Sequence, residues 1–127
     1  MFSSDQKTWS DAVQYCKSQG GRLAEIKDYD TNEYLKHYLN LKHLFHTDQT
    51  KHNYFVGLSD QNQRGVWKWE GSGDIADFTD WTDGEPSGDP EHCVVLWGYI
   101  GYWWNDERCQ NAFQYICEID KVSPAFG

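Results

Sequence analysis

Two short segments of the chain, 84–93 and 104–109, gather Glu85, Ser87, Asp89, Glu91, Asn105 and Asp106 on either side of two cysteines. Carboxylates, an amide and a hydroxyl are the oxygen donors that a hard cation such as calcium takes up. The same stretch is rich in Gly, Pro, Asp, Asn and Ser, which dominate ordinary turns for conformational reasons alone. Spacing leaves the two readings open. A bridge between Cys93 and Cys109 would hold both segments at one end of a sheet and bring the six side chains within reach of a common point.

The four cysteines, Cys16, Cys93, Cys109 and Cys117, show no CxxC spacing and only His92 lies close to one of them, which argues against zinc and for disulfides. Disulfides imply an oxidising compartment. Four cysteines allow three pairings, and the strand order favours the nested one, Cys16 with Cys117 and Cys93 with Cys109. The outer bridge then closes a loop of about a hundred residues, which in the chain-entropy model stabilises by roughly 4–5 kcal/mol.

The elements that must carry these segments are legible from periodicity. Trp9, Ala12, Val13 and Cys16 recur at helical spacing before Gly20 and Gly21, so a short helix over 11–19 carries Cys16 on its buried face. A second helix is predicted from a cap at Asp30, with Glu33 three residues on, to about Leu44. Short aromatic and β-branched runs at 54–58, 66–69, 93–97, 102–104 and 113–119 read as strands. The long polar stretch 71–89 is expected to be an ordered loop, because it contains Trp81. Two helices followed by several strands make an α+β domain.

The chain has 127 residues, the length of one domain, with a core expected over about 2–119 and a tail over 120–127. Its 7 Trp, 8 Tyr and 6 Phe predict a core that is aromatic rather than aliphatic. A net charge of −9 repels a phosphate backbone, which excludes nucleic acid as a partner. No signal peptide or membrane-spanning apolar run is present, so the chain reads as a mature or recombinant piece of a secreted protein or ectodomain, with no membrane insertion.

Taken in order, the helix with the first cysteine, Phe55-Val56-Gly57-Leu58, Glu85-Pro86, Glu91-His92-Cys93, Trp104-Asn105-Asp106 and the closing Cys117 resemble a C-type lectin-like domain over about 2–119. The resemblance implies the C-type lectin-like fold, with two helices, antiparallel sheets, a long loop region and two disulfides. It implies one calcium site made by Glu85, Ser87, Glu91, Asn105 and Asp106, the same five residues binding the carbohydrate, and a cis peptide before Pro86. Glu85 in first place leans toward mannose, fucose or N-acetylglucosamine glycans on cell or microbial surfaces, as in innate pathogen recognition. Mannose binders of the family carry Asn where this chain has Ser87; a hydroxyl is shorter than an amide and uncharged, so the site is expected to be weaker or to sit closer to the backbone. A second calcium site of some members is expected to be absent, because Arg64 and His92 stand where acids would. A calcium-independent module binding glycan or protein remains the alternative that Ser87 favours. Single shallow sites bind weakly, so a homodimer is expected.

The remaining aromatic and basic side chains are assigned plainer roles. Trp9, Trp67, Trp69, Trp81 and Trp104 are expected to pack the core, and at least one of Trp97, Tyr99, Tyr102 and Trp103 is a candidate to meet a sugar face. His37, His43, His46 and His52 are expected on the surface. Glycoside hydrolysis by Glu85 and Glu91 would need one acid with a raised pKa in a built pocket, which an exposed Gly-rich loop does not suggest, so no enzymatic activity is expected.

Overall fold

The computed structural model describes residues 1–44 and 52–119. Helix α1, Trp9–Ser18, begins where the Thr8 hydroxyl accepts the N–H of Asp11, and it buries Trp9, Ala12, Val13 and Cys16. The chain turns out of it through Gly20, whose φ of +82° suits a residue without Cβ. Helix α2, Tyr29–Lys42, is capped by Asp28, whose carboxylate accepts the N–H of Thr31 at 2.7 Å. The expected cap at Asp30 is thus two residues late; Asp30 lies inside the first turn, where its charge faces the positive end of the helix.

The described residues include seven strands, β1 (Gly21–Leu23) between the helices and then β2 (Tyr54–Ser59), β3 (Lys68–Trp69), β4 (Cys93–Trp97), β5 (Trp103–Glu107), β6 (Gln114–Tyr115) and β7 (Cys117–Ile119). Five of them form one sheet in the order β3-β2-β4-β5, with β6 parallel to β2, and β1 pairs with β7 in a separate antiparallel ribbon. Two expected strands shift: the 66–69 run is strand only at Lys68–Trp69, and the 102–104 run becomes Trp103–Glu107, which puts Asn105 and Asp106 on a strand. Strand β2 is buried at Tyr54, Phe55, Val56, Gly57 and Leu58, because its two faces serve two different clusters.

One cluster, between the sheet and α2, contains Ile26, Leu35, Leu39, Val56, Leu58, Val94 and Leu96 together with Tyr54, Trp69, Tyr102 and Trp104. The other lies against α1 and surrounds Cys16, Phe55, Val95 and Tyr115. The core is therefore mixed rather than mainly aromatic: rings occupy its centre and the strands supply aliphatic neighbours. Trp104 meets Trp69, Phe78 and Trp81 edge-on at 5.9, 5.9 and 6.0 Å and donates its indole N–H to Asn32 at 3.0 Å. Trp67 and Trp81 are only partly buried, yet both pack on this cluster.

Cys16–Cys117 and Cys93–Cys109 form the two disulfides, the nested pairing expected. Among the other expectations, His37 is exposed, but His43 is buried, its ring stacked on His52 at 4.0 Å and bonded to the Tyr54 hydroxyl at 2.8 Å. His46 and the 120–127 tail lie outside the described residues. No helix among the described residues is long and apolar enough to cross a membrane.

Candidate cation site

Strands β4 and β5 run antiparallel in a register that sets Cys93 opposite Glu107, Val94 opposite Asp106 and Val95 opposite Asn105. Glu91 therefore enters β4 beside the end of β5 that carries the two polar residues. The long loop returns along the other side of β5: the N–H of Trp104 donates to Asp80 and the N–H of Thr82 donates to Trp104, at 2.9 and 2.8 Å. Lys36 and Asn32 of α2 both reach the Asp80 carboxylate, at 3.0 and 2.7 Å, so the root of the loop is tied to a helix as well as a strand. The order expected from Trp81 comes from these bonds and from its bridge to Trp104.

Beyond Thr82 the chain turns through Gly84, and the Glu85-Pro86 peptide is cis, as the resemblance implied; Asp89-Pro90 is cis as well. Asp106 is fully buried, so its charge needs partners, and its two carboxylate oxygens accept the backbone N–H groups of Ser87 and Gly88, each at 2.9 Å. The N–H of Glu91 donates to the carbonyl of Gly88 at 2.8 Å and closes the loop. Carboxylate oxygens of Glu85, Glu91 and Asp106 consequently lie within 4.8 Å of one another. The Ser87 hydroxyl donates to Glu85 Oε1.

Such crowding of like charge is unfavourable in the bare protein. Burial pushes the Glu85 carboxyl above its ordinary value, with Asp106 and Glu91 adding to the shift. Glu91 is raised by burial and then by Asp106. A divalent cation would relieve this repulsion, and an all-oxygen set of this hardness and spacing fits calcium.

Sequence reasoning missed Glu107. Its side chain accepts from the Asn105 amide at 3.3 Å, and burial followed by the charges of Glu91, Asp106 and Glu85 raises its carboxyl. The two-residue alternation of a strand, which puts 105 and 107 on one side, is the signal that would have found it.

Asp89 does not join the others. Its carboxylate pairs with His92 Nε2 at 2.8 Å and with Arg64 at 3.4 Å, while His92 Nδ1 meets Asp60 at 2.8 Å. Two carboxylates on one imidazole favour its doubly protonated form, and Asp89 first, then Asp60, raises the His92 pKa. The positive side chains expected to exclude a second ion thus contact the acids directly, and the six-residue convergence read from spacing loses Asp89.

The aromatic side chains divide. Tyr102 is buried, which removes it as a sugar contact, whereas Tyr99 is exposed and stacks on Trp97 at 5.5 Å. Trp103 is exposed too, with the Lys36 ammonium 4.7 Å above its ring.

A sequence model of the lectin C-type domain matches residues 5–119. Perlucin of Haliotis laevigata is 34% identical over 125 residues, a match covering 95% of this chain and 76% of that protein. Among solved structures, the mouse scavenger receptor C-type lectin carbohydrate-recognition domain superposes with a TM-score of 0.78 at 28% identity, covering 97% of this chain and 89% of that one. A Ca2+-dependent type II antifreeze protein, in its Ca2+-free form, gives a TM-score of 0.78 at 26% identity, covering 92% and 86%. The lectin C-type domain family is one of non-enzymatic carbohydrate binding, in agreement with the absence of catalysis expected from the loop. Matched over nearly its whole length and built on the same architecture, the chain belongs to the C-type lectin domain family.

Proposed function

We propose that this domain binds carbohydrate in a calcium-dependent manner at Glu85, Ser87, Glu91, Asn105 and Asp106. The observation that carries the reading is the convergence of Glu85, Glu91 and Asp106, whose oxygens lie within 4.8 Å of one another. Calcium bound there would offer open coordination positions to a vicinal pair of sugar hydroxyls. The chain's own residues do the rest. Asp106 anchors the loop through Ser87 and Gly88, Glu85 and Glu91 accept hydrogen bonds from the sugar hydroxyls, and Asn105 and Ser87 supply short polar contacts.

Glu85 ahead of Pro86 supports mannose, fucose or N-acetylglucosamine glycans on cell or microbial surfaces, read by a secreted protein in innate recognition. A single site of this kind binds weakly, and a homodimer would raise avidity by joining two sites; sedimentation velocity showing a strict monomer would remove that part.

The test is a glycan array probed in calcium and again in EDTA, with Asn105→Ala beside the natural chain. Binding abolished by both treatments supports the proposal. The alternative, a calcium-independent glycan- or protein-binding module, is favoured by the Ser87 hydroxyl, which already spends its proton on Glu85. Binding that survives both treatments would establish it.

A further inference from the structure

We propose that Glu107 is a positioning residue of the cation site, acting through the Asn105 amide. The inference rests on the calcium reading above and deepens it. A carboxylate only accepts hydrogen bonds, so Glu107 Oε2, 3.3 Å from the Asn105 amide nitrogen, fixes which end of that amide it holds. Asn105 is buried and has little freedom to choose otherwise. With Nδ2 committed to Glu107, Oδ1 is the atom left for a cation, and the amide that would otherwise flip between two settings is preset as an oxygen donor.

The position of Glu107 is itself fixed by the sheet. Its carbonyl accepts the N–H of His92 at 3.1 Å and its Cα sits opposite Cys93, so the residue that ends β5 is locked beside the residue that follows Glu91. The carboxylates that converge within 4.8 Å are those of Glu85, Glu91 and Asp106, and Glu107 reaches the site through its hydrogen bond to the Asn105 amide.

Losing the hydrogen bond to Asn105 should weaken calcium binding without destabilising the metal-free fold, a split that ordinary structural damage does not produce. Glu107→Gln keeps the size of the side chain and an accepting oxygen but loses the charge; Glu107→Ala loses both. Partners that orient metal ligands typically contribute 10–100-fold to affinity, so calcium titrated calorimetrically should bind Glu107→Ala at least about tenfold more weakly than the natural chain. Glu107→Gln should lie between the two. In EDTA, Glu107→Gln should melt at the temperature of the natural chain, because it keeps the size of the side chain and an oxygen that accepts from Asn105.

Calcium affinity unchanged in both variants overturns the inference while leaving the calcium site standing. A lower melting temperature in EDTA for both variants also overturns it, since Glu107 would then be a structural residue. If the natural chain takes up no calcium, the underlying reading fails first, and this inference falls with it.

Discussion

Asp106 on β5 holds the backbone N–H of Ser87, nineteen residues earlier in the chain, at 2.9 Å. The contact joins a residue fixed by the sheet to the tip of an exposed loop, and Gly88 repeats it on the second oxygen. Replacing Asp106 with Ala leaves two N–H groups without their charged acceptor. We expect calcium-dependent binding to vanish and, in EDTA, the domain to lose about 2 kcal/mol of stability, the scale of hydrogen bonds to a charged group. Urea unfolding with and without calcium measures both; an Asp106→Ala domain that still gains stability from calcium contradicts the assignment.

Ser87 is the one uncharged, short member of the proposed ligand set. Asn at this position extends an amide carbonyl toward the acids while keeping a donor for a sugar hydroxyl. Ser87→Asn is expected to bind calcium several-fold more tightly and to strengthen binding to mannose-type glycans. Calorimetry finding equal or weaker calcium binding would mean that the natural hydroxyl, bonded to Glu85, is already the better fit.

Arg64 and His92 contact Asp89, and His92 also contacts Asp60, so two acids that could attract an ion are already paired. Calcium titration of the natural chain should therefore give one equivalent. The double change Arg64→Glu with His92→Asp places four acids together, and a second equivalent should appear. Two tight sites in the natural chain would overturn this account.

Far from the loop, the Tyr115 hydroxyl donates to Asp5 at 2.8 Å and helps tie the N-terminal segment to β6. That bond, with Lys7 nearby, holds the Asp5 carboxyl below its ordinary value. A carboxyl lowered by folding contributes stability above its unfolded pKa and loses it as pH falls through the folded value. Tyr115→Phe is expected to cost about 1 kcal/mol at neutral pH, and the gap should narrow below the ordinary aspartate range. Burial and Asp5 also raise the Tyr115 pKa, so on the alkaline side the natural chain should lose stability as pH rises past the usual tyrosine value. Denaturant unfolding at acidic, neutral and alkaline pH follows both arms.

Much of this architecture was written in local chemistry. The stripe of Trp9, Ala12, Val13 and Cys16 announced α1 because helical periodicity is a nearest-neighbour property. Strand β1 escaped notice because three residues, Gly21 to Leu23, are too few to show alternation. The buried His43 escaped because its position depends on Tyr54 and His52, contacts that no sequence window contains. At the site, Glu85, Glu91 and Asp106 were legible as a group through the cysteines that flank them. Asp89 belonged to the same run of acids but was drawn to His92 and Arg64 by a geometry that spacing does not encode. Glu107 shows the converse: it lies in the segment 104–109 with no role assigned to it there, and the register of β5 places it opposite Cys93.

The Cys16–Cys117 bond encloses nearly the entire chain, with Cys93–Cys109 nested inside it. A protease that cuts the backbone anywhere between Cys16 and Cys117 thus makes two polypeptides but not two molecules. At Arg64, whose side chain is 75% exposed, a cut would leave Glu85, Ser87, Glu91, Asn105 and Asp106 together on the C-terminal piece. The N-terminal piece, with α1, α2 and β2, would stay attached through Cys16. Such damage would remain hidden on a gel until a reductant parted the two halves.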